Sequence, residues 1–324
     1  MLTAYRIENG RVQAVQDLTS SSLEDRPLWI DLFSPDPEER RLVERVTGVE
    51  IPTREEMAEI ETSSRLYRDD DTLFMTVTLP YIGSSDVPAS TACTLAVNTR
   101  QLITIRHGEP RSIELFRQRL EKDAGICQSP ANALMGLLDV VVDRLADIIE
   151  QGAGEVDIIS AHIFKRGISA RKSQDYKAAL KDIGGTGILI ARVHESIATL
   201  MRLLHFLMHE APVVGLDKEQ RAHLKTLARD LRSIHEHADA LDNKLNFLLD
   251  ATVGLVNLEQ NQIIEIFSVV AVVFMPPTLI ASIYGMNFTD MPELRWDLGY
   301  EFSVLLMLMS AVVTWGFFRI KKLL

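Results

Sequence analysis

Apolar and polar residues change rhythm along this chain. From Leu2 to Ile7 they alternate, an Asn9-Gly10 pair intervenes, and alternation resumes from Val12 to Val15, the pattern of a two-stranded hairpin. Apolar and β-branched runs at Leu28 to Phe33, Thr72 to Tyr81, Ala92 to Val97 and Leu102 to Arg106 predict further strands, with helices at Asp36 to Val46 and Arg54 to Glu61. After Pro110 the period lengthens to that of a helix. Helices are expected over Arg111 to Lys122, Ser129 to about Ile168, Ser173 to His209 and Leu216 to Tyr284. Gly184, Gly185 and Gly187 interrupt the third of these and predict a weakened or bent helix. No strand precedes them and no Walker lysine follows, so they do not make a phosphate loop.

Near the end the rhythm disappears. Ile266 to Tyr284 and Phe302 to Phe318 carry no charge, and each approaches the ~20 residues that cross a hydrocarbon core. A buried helical hairpin in a soluble core is the alternative. The aromatic residues Tyr284, Trp296, Tyr300, Trp315 and Phe318 at the ends of the runs favour a bilayer. Pro276 and Pro277 fit a membrane helix, where neighbouring helices satisfy the carbonyls they free. Arg319, Lys321 and Lys322 follow the second run, which puts the C-terminus in the cytosol and, with two crossings, the N-terminal region too.

The expected organisation is a cytosolic α/β domain over 1–125 and a cytosolic helical region with a stalk helix over 126–262. A first transmembrane helix over 263–286, an external loop over 287–299, a second transmembrane helix over 300–318 and a basic tail over 319–324 complete it. The first 260 residues read as an ordinary charged globular sequence, so the 47% hydrophobic content of this 324-residue chain is concentrated after Ile263. Net charge is −11 without a basic stripe, which argues against nucleic acid as a partner. Cys93 and Cys127 are too few for a disulfide framework. The N-terminus lacks a basic segment followed by an apolar one, so no cleavable signal peptide is expected. No nucleophile and base pair or cofactor motif stands out, and an enzyme is not expected.

One face of the last long helix is distinctive. Asp250, Gly254, Asn257, Asn261, Ile264, Ser268, Ala271, Met275, Thr278 and Ser282 recur in steps of four and three and are mostly small or polar, between oily flanks such as Val269, Val270 and Phe274. Small residues of this kind permit close helix packing. A polar stripe also lines water when several copies surround an axis, and its extension from Asp250 to Asn261 favours that reading. Neutral oxygens on Asn257, Asn261, Thr278 and Asn287 suit a hydrated hard cation, with Asp250 a possible carboxylate ring. Asp290, Glu293, Asp297 and Glu301 form an acidic external mouth that concentrates cations.

Other metal-like residues weigh less. His205 and His209 share a helical face beside Glu210 without an HExxH arrangement, and His235 and His237 point to different sides of a helix; both pairs read as solvated or packed. Asp69-Asp70-Asp71 reads as an acidic turn between strands, with a metal site at a subunit interface as the alternative.

Tyr284-Gly285-Met286-Asn287-Phe288, followed by Met291-Pro292-Glu293-Leu294 and Trp296, resembles the signature of the CorA family of magnesium channels. Asn257-Leu258-Glu259-Gln260-Asn261 and Phe274-Met275-Pro276-Pro277-Thr278 are similar to its enterobacterial branch, and Trp29-Ile30-Asp31-Leu32 fits its opening. The resemblance implies a funnel-shaped homopentamer embedded in the lipid of the inner membrane, with Gly285, Met286 and Asn287 as the outer selectivity loop. It implies Mg2+ as both substrate and regulatory ligand, cytosolic Mg2+ between subunits keeping the channel closed, and Asp230 as the regulatory carboxylate. No separate cofactor is implied. Glu301 departs from the proline that commonly follows Gly-Tyr in the family. Alternatives are a Zn2+ or Co2+/Ni2+ transporter of the same superfamily, and a membrane-anchored sensor or scaffold without a pore.

Overall fold

Leu73 to Leu79 are buried without a break, which is why this segment reads as a continuous apolar run and not as a simple alternation: helices cover both faces of its sheet. The computed structural model describes residues 1–8, 11–15, 27–82, 88–122, 128–165, 172–287 and 291–321. They divide into two units, Met1–Leu249 and Asp250–Leu324.

In the first unit the strands are β1 (Leu2–Glu8), β2 (Arg11–Val15), β3 (Trp29–Phe33), β4 (Leu66–Asp69), β5 (Thr72–Ile82), β6 (Pro88–Val97) and β7 (Leu102–Arg106). They form one seven-stranded sheet in the order β2-β1-β3-β7-β6-β5-β4, in which only β3 and β7 run parallel. The β1–β2 hairpin has the expected antiparallel register, Ile7 opposite Val12; its Asn9-Gly10 turn lies outside the described residues. Two strand limits differ from expectation. β6 starts at Pro88, a residue tolerated where a strand begins. β4 is an extra edge strand whose short, charged Leu66-Tyr67-Arg68-Asp69 sequence carries no apolar alternation. Asp70, at φ 48°, closes the turn between β4 and β5, as the acidic-turn reading requires.

One sheet face packs Ile30, Leu32, Phe74, Ile103 and Ile105 against Val43, Ile51 and Met57. These come from helices α1 (Pro37–Thr47) and α2 (Arg54–Ala58) and the loop between them. Asp36 caps α1 and Thr53 caps α2, each in a reciprocal box with the glutamate three residues on. The expected helix to Glu61 instead stops at Ala58, and Thr62–Arg65 forms a separate turn, α3, because Glu59 leaves helical geometry at ψ 144°.

The opposite face carries Trp29, stacked on Tyr5 at 4.2 Å and edge-on to Phe116 of α4 (Arg111–Lys122) at 5.0 Å. Long helices α5 (Pro130–Lys165) and α6 (Lys172–His209) pack with α4 on the sheet. α6 is continuous through Gly184, Gly185 and Gly187, three glycines that each cost about 1 kcal/mol relative to alanine within a helix. Beyond its pairing with β4, β5 would be an open edge. Thr199 of α6 closes it by accepting the Thr78 N–H at 3.1 Å.

α7 (Lys218–Tyr284) is 67 residues of unbroken helix, started by a reciprocal cap between Asp217 and Gln220. Its part from Asp250 onward opens the second unit, which continues through a 3-10 turn, Pro292–Arg295, into α8 (Gly299–Ile320). α7 from Ile266 and α8 are long and apolar enough to cross a membrane, and almost none of their apolar surface is buried within the chain. Pro276 and Pro277 sit inside α7 without ending it. They remove the N–H partners of the Val272 and Val273 carbonyls, while the Thr278 hydroxyl donates to the Phe274 carbonyl at 2.7 Å.

Candidate functional site

All ten stripe positions, from Asp250 through Gly254, Asn257, Asn261, Ile264, Ser268, Ala271, Met275 and Thr278 to Ser282, lie on the single helix α7 and are exposed. Of the oily flanks, Val270 and Phe274 are exposed too, and Val269 is buried. The chain therefore leaves uncovered a face that is too polar for lipid at Asn257, Asn261, Ser268, Thr278 and Ser282.

α7 ends at Tyr284, and Gly285, Met286 and Asn287 follow at once. Gly285 N–H donates to the Ala281 carbonyl at 2.9 Å and Met286 N–H to the Ile283 carbonyl at 3.2 Å, so the triplet is folded back against the last helical turn. A β-carbon on Gly285 would stand 3.1 Å from the Ala281 oxygen, a close approach that glycine avoids. Met286 and Asn287 are exposed. The triplet thus sits where the helix dipole is negative and terminal carbonyls face outward, which is favourable for a cation.

Among the acidic residues expected at the mouth, Asp297 and Glu301 are exposed, while Asp290 and the Glu293 side chain lie outside the described residues. α8 begins at Gly299 although Glu301 stands where a proline was expected; an acidic residue in the first turn complements the helix dipole. Trp296 packs edge-on against Phe302 at 5.9 Å, and Arg319 lies over the Trp315 ring at 5.1 Å near the other end of α8.

Asp230 belongs to a different place, a cleft of about 560 Å³ in the first unit between α5 and α7. Asp139, Asp143, His223 and His237 line it as well. Partial burial raises the Asp143 carboxyl above its usual range, and the negative charges of Asp139, Asp147 and Asp230 add to that against Arg119. Sequence reasoning found Asp230 but not Asp139 or Asp143, which come from a helix ~90 residues earlier and carry no local motif. Asp69 and Asp71 are not in this cleft.

Comparison with known proteins gives the family and the fold. The sequence matches the family described as CorA-like Mg2+ transporter protein over residues 24–322. It is 32% identical over 322 residues to the magnesium transport protein CorA of Salmonella typhimurium and equally to that of Escherichia coli K12, covering 99% of this chain and 99% of each relative. The chain belongs to the CorA family of Mg2+ transporters. Its fold matches the CorA magnesium transporter of Methanocaldococcus jannaschii with a TM-score of 0.74 at 19% identity, over 98% of this chain and 97% of that one. It matches the full-length CmaX protein with a TM-score of 0.69 at 14% identity, over 100% and 97%. An α/β sheet domain, a long helix and a C-terminal helix able to span a membrane make the CorA architecture.

Proposed function

We propose that this protein is a homopentameric channel for Mg2+ influx across the inner membrane, with both termini in the cytosol and residues 287–299 outside. The observation that carries the reading is the exposed polar stripe of α7, which ends at Gly285-Met286-Asn287. One helix cannot enclose water, but five copies around an axis turn ten such positions into the wall of a conduit. The printed function of the 32% identical relatives, magnesium transport, supports the choice of ion.

Mg2+ loses its water shell reluctantly, so oxygens that accept hydrogen bonds from bound water select it better than a dry cage. Asn287 and the Gly285 carbonyl supply such oxygens at the outer end; Asn257, Asn261 and Thr278 supply them within. Asp297 and Glu301, with Asp290 and Glu293, raise the local concentration of cations. Inward passage of a dication gains about 4.6 kcal/mol per 100 mV of negative-inside potential, so no nucleotide is needed. The Asp139, Asp143 and Asp230 cleft gathers carboxylates at which cytosolic Mg2+ closes the channel.

Uptake into liposomes under an imposed potential tests this. Mg2+ should enter, and Asn287→Ala should suppress entry. Passage of Zn2+ without Mg2+ overturns the ion, and passage of neither overturns the conduit.

A further inference from the structure

Two histidines of the first unit have ordinary partners. His223 Nε2 is 2.6 Å from Asp139 Oδ1 and His209 Nδ1 is 2.8 Å from Glu210 Oε1, both hydrogen bonds. A third group does not fit that pattern. His194 of α6 and His235 of α7 both aim Nε2 at Asp239, which lies one turn beyond His235. The distances are 3.6 Å from His194 to Oδ1 and 3.8 Å from His235 to Oδ2, too long for hydrogen bonds. The two rings stand edge to face with centroids 5.2 Å apart. One donor atom from each residue lies within 4.8 Å of the others. His235 Nδ1 is buried and has no hydrogen-bond partner among the described residues.

Three donors therefore converge on a common point without satisfying one another. A tetrahedral ion with bonds of about 2.0–2.1 Å holds its donors about 3.3 Å apart. The two measured gaps must close by about 0.3 and 0.5 Å and the widest by up to about 1.5 Å. Small side-chain rotations achieve this, because all three groups are partly exposed at the junction of two helices. Two imidazoles and one carboxylate are not a Mg2+ set, which is built from oxygens; imidazole suits Zn2+, Co2+ and Ni2+.

We infer that His194, His235 and Asp239 form a binding site for a transition-metal dication of the Zn2+ class, which fastens α6 to α7. The remaining coordination positions are open to water. The site is separate from the stripe and from the Asp230 cleft, so it stands whether or not the channel reading holds.

Co2+ is the probe, titrated into the full-length protein in detergent with millimolar Mg2+ present to occupy oxygen sites. A saturable visible absorption reaching one Co2+ per chain, displaced by Zn2+, is expected. His194→Ala and Asp239→Asn, on different helices, should each weaken binding at least tenfold, and His205→Ala, at an exposed histidine elsewhere on α6, should leave it unchanged. Zn2+ should raise the melting temperature of the native protein and not that of His194→Ala. Absence of the saturable signal overturns the site, as does retention of native affinity in both His194→Ala and Asp239→Asn. An equal loss in His205→Ala places the metal elsewhere and overturns it too.

Discussion

His223 and Asp139 meet across α7 and α5 with 2.6 Å between Nε2 and Oδ1, at the wall of the cleft that also holds Asp143 and Asp230. Burial raises the neighbouring Asp143 carboxyl, the charges of Asp139, Asp147 and Asp230 add to it, and the folded chain therefore holds that proton more tightly than the unfolded chain does.

A group whose folded pKa is raised contributes stability that is fully present below its unfolded value, and that contribution declines as pH rises through the folded value. Asp143 thus opposes folding at neutral pH when no cation is bound. Asp143→Asn should melt at a higher temperature than the native protein in chelator at pH 7, and the difference should shrink towards pH 4. Mg2+ should raise the native melting temperature, by an amount that corresponds to about 2.7 kcal/mol at one hundred times Kd, and should raise that of Asp143→Asn or Asp230→Asn by less than half as much. Equal shifts in all three proteins would remove the cleft from regulation.

Asn287→Ala should reduce Mg2+ uptake at least tenfold, the loss expected when a contact worth ~1.4 kcal/mol is removed at the ion. Gly285→Ala presses a methyl group against the Ala281 oxygen, 3.1 Å from the position it would take, and should disturb the same turn. Uptake by both variants, compared at equal amounts of assembled protein, checks the pair.

Within the sheet, Arg106 of β7 donates to Asp31 of β3 at 2.8 Å, and Thr104 donates to the same carboxylate at 2.6 Å while accepting from the Trp29 indole at 3.1 Å. Both charged side chains are largely buried. Arg106→Leu leaves Asp31 without its ion partner and should cost about 3–5 kcal/mol. The double change with Asp31→Leu should recover much of it, measured by denaturant unfolding of the soluble portion's signal in detergent.

Cys93 is wholly buried in β6, and burial pushes its thiol up to about 12. Only the thiolate reacts with alkylating reagents. In a Cys127→Ser background, Cys93 should resist iodoacetamide at pH 8 in the native protein and react promptly in denaturant. Rapid native labelling would contradict the packing of β6 between β5 and β7.

Much of this was legible from the order of residues. Strands such as Leu102–Arg106, helices such as Arg111–Lys122 and the end of α7 at Tyr284 follow from period and length, because burial on a regular element imposes its own spacing. The Gly-Met-Asn turn was legible because its residues are contiguous. β4 was not, since an edge strand of four residues needs no apolar pattern. Nor was the partnership of His194 with His235 and Asp239, which only the packing of α6 on α7 creates; by sequence alone His235 and His237 read as solvated or packed. Asp139 and Asp143 escaped notice for the same reason.

The hydroxyl of Thr199 on the Thr78 amide decides what this margin of the sheet can accept. A free strand margin invites another polypeptide to zip onto it, and along this stretch of β5 the invitation is withdrawn by a helix of the same molecule. A polypeptide arriving along this stretch of β5 meets the side chains of α6 and not a row of free amides.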